Sequence, residues 1–106
     1  MKLKQTKPIR DKYHPKPNKA EKAHHLRLME LPCIGCGIEP CGVVHHVLGH
    51  DFIKRWRRDH RIVVPVCHNC HTNIHNGEAE WEEFHGKCLG EIASDELFIS
   101  KVMGIL

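Results

Sequence analysis

Five side chains in the nine residues from 67 to 75, CHNCHTNIH, can bind a metal ion: Cys67, His68, Cys70, His71 and His75. Cys67 and Cys70 repeat the spacing of Cys33 and Cys36, with 30 residues between the pairs. Each Cys-x-x-Cys knuckle presents two thiolates at tetrahedral spacing, and together the pairs complete a four-sulfur structural zinc site. A disulfide or a redox pair is the competing reading, and no flanking motif favours either. A mixed site of Cys33, Cys36, His71 and His75 is a third option, but its separation is far from the usual zinc-finger spacing. Cys41 and Cys88 are left over and read as small buried hydrophobes.

The histidines offer a second chemistry. His71 and His75 are four apart, so on a helix both rings fall on one face. Neutral imidazoles so placed form a two-point claw for a divalent ion. His45 and His46 close a β-branched run, and neighbours on a strand point to opposite sides. Without a bend they therefore cannot both ligate one ion; one can bind metal while the other takes a proton from water. His68 reads as a solvent-side spacer.

The elements that must position these residues can be placed from the same string. AEKAHHLRLMEL, from Ala20, predicts a helix stopped by Pro32. PCIGCG is a tight turn whose glycines let the backbone aim two thiolates at one point. GVVHHV and IVVPVC predict two strands, with Pro65 marking the edge or end of the second. CHNCHTNIHNG starts as a knuckle and continues as a helix that Gly77 stops. EAEWEEFHG predicts a helix with Trp81 and Phe84 as its apolar face. ASDELFISKVMGIL predicts a last helix capped by Ser94 or Asp95.

At 106 residues the chain is one domain at most, small enough to recruit a metal for stability. No apolar run approaches the roughly 20 residues of a membrane span. MKLKQTKPIR has no apolar core of signal-peptide length, so a cytoplasmic location is expected. The net charge of +3 is unevenly spread. Residues 1–27 carry nine Lys or Arg against two acids, whereas residues 77–106 carry two lysines against seven acids. Residues 1–19, with Pro8, Pro15 and Pro17 among lysines, are expected to form a flexible basic arm before a body at 20–106. Such an arm is suited to nucleic acid, where counterion release favours Lys and Arg; the alternative is a solvated leader. LGHDFIKRWRRDHR reads as a basic loop. Its Lys54, Arg55, Arg57, Arg58 and Arg61 are expected to track a DNA backbone. Trp56 is expected either to stack on a base or to cover the core.

CIGC, VVHHV, IVVPVC and CHNCHTNIH together resemble the HNH, or ββα-metal, endonucleases in their zinc-stapled form. HHLRLMELPCIGC resembles the phage-type branch that includes RecA-dependent recombination-enhancement nucleases. The likeness covers about residues 24–86. It implies an α+β fold: a small ββα-metal domain with a four-cysteine zinc staple, flanking helices and the basic arm. It implies His46 as general base, with His45, His71 and His75 holding a catalytic Mg, Mn, Ni or Zn ion. Cys33, Cys36, Cys67 and Cys70 match the structural zinc site. The implied activity is hydrolysis of DNA phosphodiester bonds in phage or prophage recombination within a bacterial host, with a RecA filament as partner. One position departs from the pattern. Ile62 stands where the family has an asparagine that braces the loop of the base, and the neighbouring His60 is the candidate replacement. The rival from another class is a catalytically inactive, zinc-stabilised DNA-binding module.

Overall fold

The computed structural model describes residues 16–47 and 59–106. Its first element, α1 (Lys19–Met29), begins with a capping box. The Asn18 side chain accepts the Glu21 N–H at 2.8 Å, and the Glu21 carboxylate accepts the Asn18 N–H at 2.8 Å. These two bonds satisfy donors that a helix start otherwise leaves open. Asn18 and Lys19, grouped with the arm by the sequence, therefore belong to the helix. Pro32 lies just beyond its end, as expected.

Strands β1 (Val43–His46) and β2 (Val63–Val66) pair antiparallel, with Val43 opposite Val66, Val44 opposite Pro65, His45 opposite Val64 and His46 opposite Val63. The Val47 N–H donates to the Ile62 carbonyl at 3.1 Å and carries the pairing one step further. A two-stranded ribbon is marginal by itself. Here β2 also packs on α1 and on α4 (Leu89–Val102), while β1 packs on α1 and on α2 (His68–Asn76). Val63, Val64 and Val66 are fully buried as a result. Pro65 sits inside β2, where a two-stranded sheet has only edge strands. Its carbonyl accepts the Ile34 N–H at 3.2 Å, tying the first knuckle to the sheet.

Helix α3 (Glu78–His85) follows α2 after Gly77 and packs on it. The core runs through Cys33, Val64, Val66, Cys70, Ile74, Trp81, Leu89 and Ala93. Burying a Leu or Ile side chain contributes about 1.5–3 kcal/mol, so Leu28, Ile74 and Leu89, all fully buried, anchor three different helices. Two expectations fail here. Trp81 is buried, but Phe84 is 83% exposed and is no part of the apolar face. The last helix starts at Leu89 rather than near Ser94 or Asp95, because Leu89, Gly90 and Ala93 carry its buried face upstream. Its cap comes from another element: the Glu82 carboxylate accepts the Leu89 N–H at 2.8 Å.

Helices and strands thus share one small α+β body with four helices and one two-stranded sheet among the described residues. No described helix is long and apolar enough to cross a membrane.

Candidate functional site

The two knuckles converge. One sulfur from each of Cys33, Cys36, Cys67 and Cys70 lies within 4.8 Å of the others. The first knuckle is closed by main-chain bonds, Cys33 N–H to Ile38 O and Gly37 N–H to Cys33 O, both 2.9 Å. Gly37 takes a φ of +81°, open to glycine at little cost. The second knuckle is the start of α2. Cys67 is its N-cap, and the sulfur accepts the Cys70 N–H at 3.4 Å. A helix N-terminus favours negative charge, which suits a thiolate there.

The thiols also divide unequally. Burial pushes the Cys33 thiol up, but main-chain N–H groups of Cys36, Cys67 and Gly35 outweigh it and bring its pKa down to about 6. Burial and the sulfurs of Cys33 and Cys67 push the Cys70 thiol up. Four thiols this close cannot all ionise without a cation, and an all-sulfur tetrad fits a tetrahedral structural ion.

The second set uses both sides of the sheet. His45 is 4% exposed and faces α2, its ring centroid 5.2 Å from those of both His71 and His75. The Nε2 atoms of His71 and His75 are 3.1 Å apart, and one ring nitrogen of each of the three histidines lies within 4.8 Å of the others. Neither ring nitrogen of His45 has a hydrogen-bond partner among the described residues, although both are buried. Burial first, and then charge on His71 and His75, holds its pKa down to about 4. Burial likewise lowers His71, with His75 and His68 adding to it. Neutral rings with lone pairs aimed at one point are what a divalent ion requires, and a buried imidazole without a partner is otherwise costly.

His46 points the other way, as strand alternation demands. Its Nε2 lies 3.0 Å from His60 Nδ1, and its ring is edge-on to His25 at 5.7 Å between centroids. The His25 Nε2–H donates to the His60 main-chain carbonyl at 2.7 Å. Ile62 is half-buried against the core, its N–H bound to Asp59 O. It packs, and His60 touches the histidine of β1.

Two neighbours escaped the sequence. Glu78 places a carboxylate oxygen 3.7 Å from His45 Nε2; its only signal was an acid just past the Gly77 stop. His25 belonged to a histidine doublet on a helix, a pattern with no spacing rule attached. Lys54, Arg55, Trp56, Arg57 and Arg58 lie outside the described residues. Arg61 is exposed, and its guanidinium rests on Asp59 at 3.3 and 3.4 Å. His68 is exposed and Cys41 buried, as the sequence suggested; Cys88 is half-buried at the start of α4.

No curated protein and no solved structure matches this chain. Residues 3–97 match the profile described as Protein of unknown function (DUF968), and the chain belongs to that family.

Proposed function

We propose that the protein is a metal-dependent endonuclease of the HNH, or ββα-metal, type that hydrolyses DNA phosphodiester bonds. The observation carrying this reading is the split at β1. Among the described residues His45 is buried without a hydrogen-bond partner and faces His71 and His75, while His46 faces away and is bonded to His60.

His45, His71 and His75 would hold a divalent ion, and Glu78 lies close enough to support His45. Such an ion, when bound, neutralises charge on the phosphate and on the leaving 3′ oxygen. His46, whose Nε2 pairs with His60 Nδ1, takes a proton from water as the water oxygen attacks phosphorus and the P–O3′ bond breaks. The His60 contact then strengthens, because an imidazolium donates a charge-assisted bond. His25, bound to the His60 carbonyl, fixes the turn on which the acceptor sits. The four cysteines hold the start of α2, which sets the position of His71 and His75. Basic residues 54–58 and the N-terminal arm supply the expected DNA contacts; a RecA filament is the partner suggested by the branch resemblance.

The test is nicking of single- and double-stranded DNA by the purified chain in Mg²⁺ or Mn²⁺, with and without a RecA filament. Wild type should cut, and His46→Ala should be strongly impaired while retaining its fold. DNA binding without cutting under every condition would establish the inactive binding module instead.

A further inference from the structure

The sheet carries histidine clusters on both sides, and only one of them is given a metal above. The geometry points to a second transition-metal site formed by His25, His46 and His60, which takes His46 out of use when it is filled. One ring nitrogen from each of the three lies within 4.8 Å of the other two. Three elements contribute: α1, the last residue of β1 and the turn before β2.

The spacing matches that of the first histidine set. Imidazole nitrogens sit about 2.0–2.1 Å from a zinc ion, so two of them on one tetrahedral ion lie about 3.3 Å apart, a few tenths beyond the separations seen before an ion enters. His46 Nε2 and His60 Nδ1 are 3.0 Å apart, against 3.1 Å between the Nε2 atoms of His71 and His75. His25 is 9% exposed and is held beside this pair by its bond to the His60 main chain. Three nitrogen donors without a carboxylate select Zn²⁺, Ni²⁺, Co²⁺ or Cu²⁺ over Mg²⁺ or Ca²⁺.

The proton inventory shows what filling the site does. When His46 Nε2 and His60 Nδ1 both bind an ion, each turns a lone pair to it, and the hydrogen of the neutral His46 ring sits on Nδ1. A ring with metal on Nε2 and hydrogen on Nδ1 has no lone pair left for water. The second ion therefore blocks proton abstraction. This consequence rests on the nuclease reading; the site itself does not.

Zinc content of the full-length chain after dialysis against buffered Zn²⁺, measured by native mass spectrometry, tests the site. The three ligand groups predict three zinc ions per wild-type chain and two in His25→Ala and in His60→Ala. Both variants should keep the wild-type circular dichroism spectrum, and a His71→Ala/His75→Ala double variant should still fill this site. A wild type that stops at two, or variants that both keep three, overturns it. In the cleavage assay run with Mn²⁺, added Zn²⁺ should slow wild type several-fold, while His25→Ala keeps most of its own zinc-free rate. Equal slowing of both places the inhibition elsewhere. If no ion supports cleavage, the nuclease reading fails and the zinc count still decides the site.

Discussion

The imidazoles of His46 and His60 meet at 3.0 Å, Nε2 to Nδ1, across fourteen residues of sequence. One histidine ends β1, and the other lies in the turn that leads into β2. Ile62, two residues on, packs against the core.

Replacing His60 with alanine should therefore slow cleavage through the turnover number rather than through DNA binding. Loss of a hydrogen-bond partner that orients a metal-ligating histidine costs about 10–100-fold, and a loss of that order is expected for the imidazole of His46. His60→Asn, whose side-chain oxygen can occupy the Nδ1 position, should recover part of the rate. Measuring kcat and KM for the three proteins checks this; a loss confined to KM would assign His60 to DNA contact.

The two metal sets should separate cleanly on mutation. Cys70 is buried in the core cluster and completes the sulfur tetrad, so Cys70→Ser should release the structural ion and unfold the chain. Structural zinc contributes about 10–16 kcal/mol in zinc-dependent peptides. His75 is exposed at the end of α2. His75→Ala should leave melting of the zinc-loaded protein nearly unchanged and lower cleavage. Equal losses of fold in the two variants would mean that the histidines are structural too.

What the sequence revealed depended on whether a spacing rule applied. The knuckles, the strand pair and the His71–His75 face follow from fixed geometry, because thiolate spacing, side-chain alternation and helical period are local. The opposite directions of His45 and His46 were legible for the same reason. His25, Glu78 and the Glu82 cap of α4 were not, since each acts on a partner brought near only by tertiary packing. Phe84 misled because its three-residue spacing from Trp81 fits an apolar stripe, yet the short α3 buries only Trp81. The start of α4 was misplaced because its N-cap residue, Cys88, makes no side-chain cap.

Acid should destabilise the fold through His24. This ring is fully buried; its Nδ1 is hydrogen-bonded to Ser100 Oγ at 2.6 Å, and the Ser100 oxygen accepts the Arg27 Nε–H at 3.0 Å. Burial, and then the charges of His25 and Arg27, holds the His24 pKa down from 6.5 to about 4. Above pH 6.5 both folded and unfolded chains carry it neutral, so its contribution is complete. Below that the unfolded chain takes up the proton first, and stability is lost as pH falls toward 4. Each pKa unit corresponds to about 1.4 kcal/mol, which gives a ceiling of about 2 kcal/mol at pH 5. Urea unfolding of the zinc-loaded protein at pH 7 and 5 measures the loss. His24→Leu should show a smaller one, and equal losses would exonerate His24.

Packing beside the sulfur tetrad leaves no room at Gly35, and this makes a sharp stability prediction. A Cβ there would meet Cys70 Sγ at 2.8 Å and Trp81 Cζ2 at 2.9 Å. Neither neighbour can yield easily. Cys70 is held by its helix and by the other sulfurs, and Trp81 is 5% exposed and stacked on His85 at 4.0 Å between centroids. One added methyl should therefore cost about 1–3 kcal/mol, the usual range for overpacking a filled core. It should also loosen the metal, because the same methyl pushes a ligand sulfur. Gly35→Ala should then lower both the unfolding midpoint and the zinc affinity measured by competition with a chelator. Trp81→Phe, by removing the part of the ring that Gly35 faces, should rescue much of both losses in the double variant. Additive losses would show that the strain lies in the knuckle backbone and not against the indole.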